Sequence, residues 1–135
     1  MIGIVMVIIN LSEIKDLTVR LDKNLIETGE NLSGCIEINY AGRFDSIVIN
    51  SQIEDSSDVF NYIAVNGKKI THPYARLSLL KHEIPQLREI EFTITTYHIP
   101  PNFTSNAKLR VSLIQEHKEI ISDVKHFKIS RNTLV

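Results

Sequence analysis

The chain has 135 residues, 43% of them hydrophobic, and a near-balanced charge of 15 Lys+Arg against 16 Asp+Glu. That length holds one domain with a real core, and the balance excludes a strongly basic nucleic-acid binder and a disordered polyelectrolyte. With 21 Ile and 9 Val against 4 Ala, the apolar content favours a pleated surface over helix, because β-branched side chains lose χ1 freedom in helices.

The first predicted element is the uncharged run over residues 1–9. It falls short of the roughly 20 apolar residues that span a bilayer. It also lacks the basic start and small-residue cleavage site of a signal peptide, so neither an integral membrane segment nor a leader is expected. As a strand it puts Ile2, Ile4, Met6 and Ile8 on one face and Gly3, Val5, Val7 and Ile9 on the other. Two readings stay open: a strand buried within the domain, or an interaction strand that docks a partner or a second copy. Met6 as the true initiator is a third.

From Asp16 the period is two. Leu17, Val19 and Leu21 alternate with polar residues, and Leu25-Ile26 is read as continuing that strand. A turn at Thr28-Gly29-Glu30 leads to Leu32, Gly34, Ile36 and Ile38 on one face of the next strand, which ends at Ala41-Gly42-Arg43. Ile47, Ile49 and Ile53 carry another, followed by the polar loop 54–58. Asn66-Gly67, between apolar runs, is the strongest hairpin signal. Residues 77–87 read equally as a strand or a short helix. Ile90, Phe92, Ile94 and Thr96 then alternate cleanly with Glu91, Thr93, Thr95 and Tyr97 up to Pro100-Pro101, which cannot donate to a ladder. Leu109, Val111 and Leu113 form one more strand and residues 119–129 the last, where a phase change predicts a bulge near Lys125. Seven to nine short strands predict an all-β, two-sheet antiparallel immunoglobulin-like sandwich over 16–130, preceded by an extension over 1–15 and followed by a tail over 131–135. Ile36, Ile38, Ile90 and Ile94 are the expected core.

The sequence offers little chemistry. Cys35, the lone cysteine, has no histidine at a telling spacing, so an unreactive thiol in a reducing, cytoplasmic setting is expected. His72, His82, His98, His117 and His126 are scattered and form no metal-ligand pair, and surface or turn positions are expected for all five. The loop Glu54-Asp55-Ser56-Ser57-Asp58 lacks the oxygen spacing of a calcium site and reads as a solvated turn. The dispersed glycines make no phosphate loop, and three Asn-x-Ser/Thr sites (Asn10, Asn31, Asn102) carry no weight without a secretion signal. No catalytic residue, cofactor, metal or nucleic-acid partner is expected.

Leu21-Asp22-Lys23, Gly29-Glu30, Leu32, Gly34 and Ile36 resemble the opening of arrestin-like N-terminal domains. Thr28 stands where that family usually has proline, and Ile26 where it has tyrosine. The stretch from Ile90 into Pro100-Pro101-Asn102-Phe103 is similar to the family's alternating strand and its Pro-Pro turn. The resemblance implies one arrestin-like lobe acting as a non-enzymatic adaptor for other proteins, in trafficking or signalling. Relatives pair two such lobes, and this length holds one. The fold-defining turn residues are then Gly29, Glu30, Gly34, Asn66, Gly67, Pro100 and Pro101. The alternatives are a structural domain that self-assembles through the N-terminal strand and an extracellular immunoglobulin-like domain.

Overall fold

The structure, a computed structural model, describes residues 15–72, 75–84 and 88–131. Its strands are β1 (Leu17–Leu21), β2 (Leu25–Glu27), β3 (Leu32–Ile38), β4 (Ser46–Ile53), β5 (Asn61–Val65), β6 (Lys68–His72), β7 (Arg76–Leu80), β8 (Glu89–Thr95), β9 (Thr104–Gln115) and β10 (Lys118–Ser130). They form two five-stranded sheets, ordered β1-β3-β8-β5-β6 and β2-β10-β9-β4-β7. The expected all-β sandwich is what the chain adopts. Residues 1–9, with Ile2, Ile4, Met6 and Ile8, lie outside the described residues.

The core sits where the inward phases of the two sheets meet. Val19, Leu32, Ile36, Ile90 and Ile94 of one sheet face Ile47, Ile49, Leu109, Val111, Leu113 and Ile129 of the other, each with 0% of its surface exposed. Ile38 is also buried, at 3%. Burying one such side chain stabilises the fold by about 1.5–3 kcal/mol. Isoleucine is abundant because it suits both requirements, a pleated backbone and a dry face.

Two expectations are corrected and one open reading is resolved. Leu25-Ile26 does not continue the first strand: the chain crosses between sheets, and β2 pairs in parallel with Lys128–Ser130 of β10. The period explains this, since Leu17 and Val19 are odd-numbered whereas Ile26 is even-numbered and 1% exposed. Ile26 reaches the core only if the strand changes sheet, so the sandwich is not wholly antiparallel. The register shift in β10 lies between Glu119 and Ile121 rather than near Lys125. Ile121 packs against the core in phase with Phe127 and Ile129, while Ile120 is exposed on the outer face. The ambiguous stretch after residue 76 is a strand, β7, paired with β4, followed by a 3-10 turn over Lys81–Glu83.

The β1 edge is closed by a side chain. Asp123 of β10 accepts the Val19 N–H at 2.9 Å and pairs with Lys15 at 3.5 Å. Filling an edge donor in this way removes one invitation to a foreign strand.

At the β5–β6 turn, Asn66 (φ +50°) and Gly67 (φ +76°) both adopt left-handed backbone. Asn66 also bridges to β8, accepting the Glu91 N–H through Oδ1 at 2.9 Å. A side chain on Gly67 would meet no atom within 4 Å, so Gly67→Ala is penalised by backbone strain alone. The expected loss is about 1 kcal/mol. In a thermal melt it reads as a Tm lowered by roughly 4 °C, and an unchanged Tm would refute the assignment.

Candidate functional site

The inward phase of β8 continues beyond the strand: Ile90, Phe92 and Ile94 are followed by Thr96 and then His98, both buried. His98 is therefore not the surface or turn histidine expected from the sequence; its side chain is 4% exposed. The polar loop 54–58 folds over it. His98 Nδ1 lies 2.8 Å from Asp58 Oδ2 and Nε2 lies 2.9 Å from the Ser105 hydroxyl on β9. Ser105 Oγ donates to Asp55 Oδ2 at 3.0 Å, and Asp55 Oδ1 is 3.6 Å from Nε2.

The arrangement can be counted in protons. Its three contacts, Asp58 to Nδ1, Nε2 to Ser105, and Ser105 to Asp55, each need one hydrogen. A neutral imidazole and a hydroxyl supply two, whereas an imidazolium and a hydroxyl supply three. With the Ser105 hydrogen on Asp55, a ring protonated at Nδ1 already makes both contacts to the 54–58 loop, and the third contact takes one further hydrogen between Nε2 and Ser105. The bond from His98, with a second from Ser56, holds the Asp58 carboxyl below the usual carboxylate range.

The order Asp58–His98–Ser105 has the sequence of groups found in a nucleophilic relay, but not its access. Ser105 is 2% exposed on a strand, and its hydroxyl is committed to Asp55. An activated nucleophile needs an open approach and a hydroxyl proton given to the base. What this arrangement can do is fasten the 54–58 loop to His98 and to β9.

On the outer side of the same segment the phase reverses. Tyr97, Ile99 and Phe103 are 77%, 66% and 89% exposed, which makes them the most exposed large apolar residues described. The backbone beneath them is held firmly. Thr28 Oγ1 donates to the His98 carbonyl at 2.7 Å, and Arg131 donates to the carbonyls of Pro100 and Pro101 at 2.7 and 3.2 Å. Gly29, at φ +86°, turns the chain under the Tyr97 ring. Glu30 accepts the Glu27 N–H and pairs with Lys23 at 2.7 Å, which raises the lysine pKa and lowers the glutamate pKa. Tyr97 and Ile99 thus line a shallow groove with the 27–30 turn and Arg131.

The turn residues picked out from the sequence divide by place. Gly29, Glu30, Pro100 and Pro101 converge at this end of the sandwich. Gly34 lies within β3 under Phe92, and Asn66-Gly67 close the β5–β6 hairpin. Cys35 is half-buried on the outer face, its thiol pKa pushed up by burial and by Glu89, Glu91 and Glu37. Among the described residues no cluster of His, Cys, Asp and Glu forms a metal-ligand set, and no helix is long and apolar enough to cross a membrane. Sequence reasoning missed His98, Asp55, Asp58, Ser105, Thr28 and Arg131. The available signal was the phase of β8, which carried past Thr96 places His98 inward.

No family model matches the chain, and no curated protein does. Solved structures do match. CfaE, the adhesive subunit of CFA/I fimbria of enterotoxigenic Escherichia coli, overlays with a TM-score of 0.58 at 10% identity, over 87% of this chain and 49% of that chain. This chain thus spans about half of CfaE. A conjugative transposon lipoprotein from Bacteroides eggerthii gives 0.51 at 13% identity, over 86% of this chain and 98% of that one. Spo0M, a sporulation control protein from Bacillus subtilis, gives 0.44 at 14% identity, over 87% and 49%; at that score it adds nothing to the assignment. At such identities the likeness shows a β-sandwich fold and nothing finer.

Proposed function

We propose that this chain is a non-enzymatic protein-interaction module, a single arrestin-like lobe that docks a partner protein at the end carrying Tyr97, Ile99 and Phe103. The observation that carries the reading is the exposure of these three side chains on a backbone fastened from beneath by Thr28, His98 and Arg131. A backbone already fixed has less freedom to lose on binding, and aromatics supply much of the energy at protein interfaces. The rim argues for the partner's chemistry. Glu27 is exposed, and the Asp55 and Asp58 side chains keep 39% and 59% of their surface open. A partner with an apolar centre and a basic border complements that surface. The arrestin-like reading draws on the Gly29-Glu30…Gly34 and Pro100-Pro101 motifs. An intracellular setting draws on the single unpaired thiol, Cys35.

The test is affinity capture with the full chain, comparing wild type, Tyr97→Ser/Ile99→Ser/Phe103→Ser, and Leu80→Ser. Leu80 is 50% exposed at the opposite end and serves as the control. The triple variant is expected to lose at least about ten-fold of a partner that the control retains, and that partner's binding should weaken with added salt. Equal recovery by the triple variant and wild type would sink the reading.

A further inference from the structure

β10 is the longest strand described, and β2 covers only its last three residues, Lys128–Ser130. On that side no described strand pairs with residues 121–127. The Lys128 N–H donates to the Asn24 carbonyl and the Ser130 carbonyl accepts the Thr28 N–H, so the even-numbered backbone groups of β10 face away from β9. Pairing with β9 runs unbroken from Ile121 to Ser130. The alternation therefore carries back along the strand, and Ser122, Val124 and His126 each turn an N–H and a carbonyl to the open edge. Such a row is a template for another strand. We propose that this edge is a self-association site, at which two copies of the chain pair β10 with β10, antiparallel, about a two-fold axis at Val124. The surface is separate from the docking end, and the inference does not rest on it.

The limits of the open edge choose the register. β2 closes it at Lys128, and the irregularity between Glu119 and Ile121 closes it at the other end. Val124 is the midpoint. A two-fold axis there sets Ser122 opposite His126 of the second copy, Ile121 opposite Phe127, and Asp123 opposite Lys125, each contact occurring twice. Charge makes the same choice. Moving the axis by one residue sets Asp123 against Asp123 or Lys125 against Lys125, and like charges directly opposite are destabilising.

The single chain leaves that charge pair to be made. Lys125 is half-buried and has no ion pair among the described residues. Asp123 gives Oδ2 to the Val19 N–H, while Oδ1 is met only by the exposed Lys15 at 3.5 Å. Beside Lys125 and His126 the edge borders a notch lined by Leu21, Asp22 and Asn24, which leaves an approach for the second strand. The other edges offer less. The Val19 N–H of β1 is already taken, and β6 and β7 have five residues each. The axis lies about 20 Å along the strand from Ser130, so the two docking ends point away from each other and stay open.

Sedimentation equilibrium on the full chain, from micromolar to millimolar concentration, is expected to show a reversible dimer that added salt weakens. Val124→Pro removes an outward N–H without touching the β9 ladder, and should weaken the dimer at least about ten-fold. Lys125→Glu, which sets a like charge against Asp123, should weaken it as well. In a Cys35→Ser background, Val124→Cys should form an intermolecular disulfide under mild oxidation, because a residue on the axis meets itself at about 5.5 Å between Cα atoms. Ser122→Cys, which faces His126, should not. The disulfide appears only in folded, paired protein, so it does not depend on the proline variant folding. A chain that stays monomeric throughout would overturn the proposal. So would a dimer that survives both Val124→Pro and Lys125→Glu, whose contact would then lie on residues 1–9 or the Tyr97 end, or one that crosslinks through Ser122→Cys rather than Val124→Cys.

Discussion

Replacing Gly34 by alanine is expected to destabilise the fold by about 1–3 kcal/mol, and by valine by more. Gly34 is paired directly across β3–β8 with Phe92, whose ring lies over the place where a Cβ would stand. A Cβ there would overlap Cζ of the ring, and would come within 2.8 Å of Cε1 and 2.9 Å of the Arg20 carbonyl. The ring is 2% exposed, and the carbonyl belongs to the neighbouring strand β1, so neither yields cheaply. A glycine covered by a cross-strand aromatic ring is a recognised way of filling the gap left by the missing side chain. Urea unfolding at constant m-value measures the loss. Gly34→Ala combined with Phe92→Leu should cost less than the sum of the single changes, with a coupling of about 0.5–3 kcal/mol. A Gly34→Ala protein within about 0.5 kcal/mol of wild type would show that the ring moves aside freely.

The second large effect is alkaline. Tyr62 is fully buried, and its hydroxyl lies 3.3 Å from the Ile49 carbonyl, the Ser51 hydroxyl and the Ala75 carbonyl. Burial pushes its pKa from 10.0 up to about 12, against a smaller downward pull from Ser51. The folded state therefore keeps a proton that the unfolded chain releases. The resulting stability is complete below pH 10 and is lost as pH rises towards 12, by about 3 kcal/mol over the two units. Lys23, raised by its bond to Glu30, acts in the same direction, so the informative quantity is the difference between wild type and Tyr62→Phe. At pH 7 that variant should lose about 0.5–1.5 kcal/mol for the missing hydrogen bond. Between pH 10 and 12 its stability should fall less steeply than wild type, and the two curves should converge or cross. Parallel curves across that range would refute the assignment.

How far the sequence foretold the structure depends on what set each position. β3 and β8 were readable because one face of each meets the core and the other meets water, so burial imposes a period of two that single residues reveal. Residues 21–26 misled because a change of sheet and a continued strand differ only by a phase slip from Leu21 to Ile26. In β10, Ile120 and Val124 suggested a bulge because apolar residues on an outer face look like core residues out of step. The candidate site was hidden for a different reason. His98 reads as the polar end of a strand beside two prolines; Ser105 is 7 residues on, across the turn, whereas Asp58 is 40 residues away and Asp55 lies 50 from Ser105. No local pattern encodes such a meeting. Tyr97, Ile99 and Phe103 were visible as residues, but their exposure becomes apparent only once the inward phase is known.

The crossing of the chain from one sheet to the other also has a mechanical side. Leu17 begins β1 at the end of the sandwich opposite the Tyr97 segment, whereas Ser130 closes β10 beside that segment, next to Glu27 of β2. Tension applied between these two points runs along the strand axes. It slides β1 past β3, and the parallel Leu25–Glu27 stretch past Lys128–Ser130, loading each row of backbone hydrogen bonds together. The geometry opposes unzipping one bond at a time, so a module tethered at one end and gripping a partner at the other would carry load in shear.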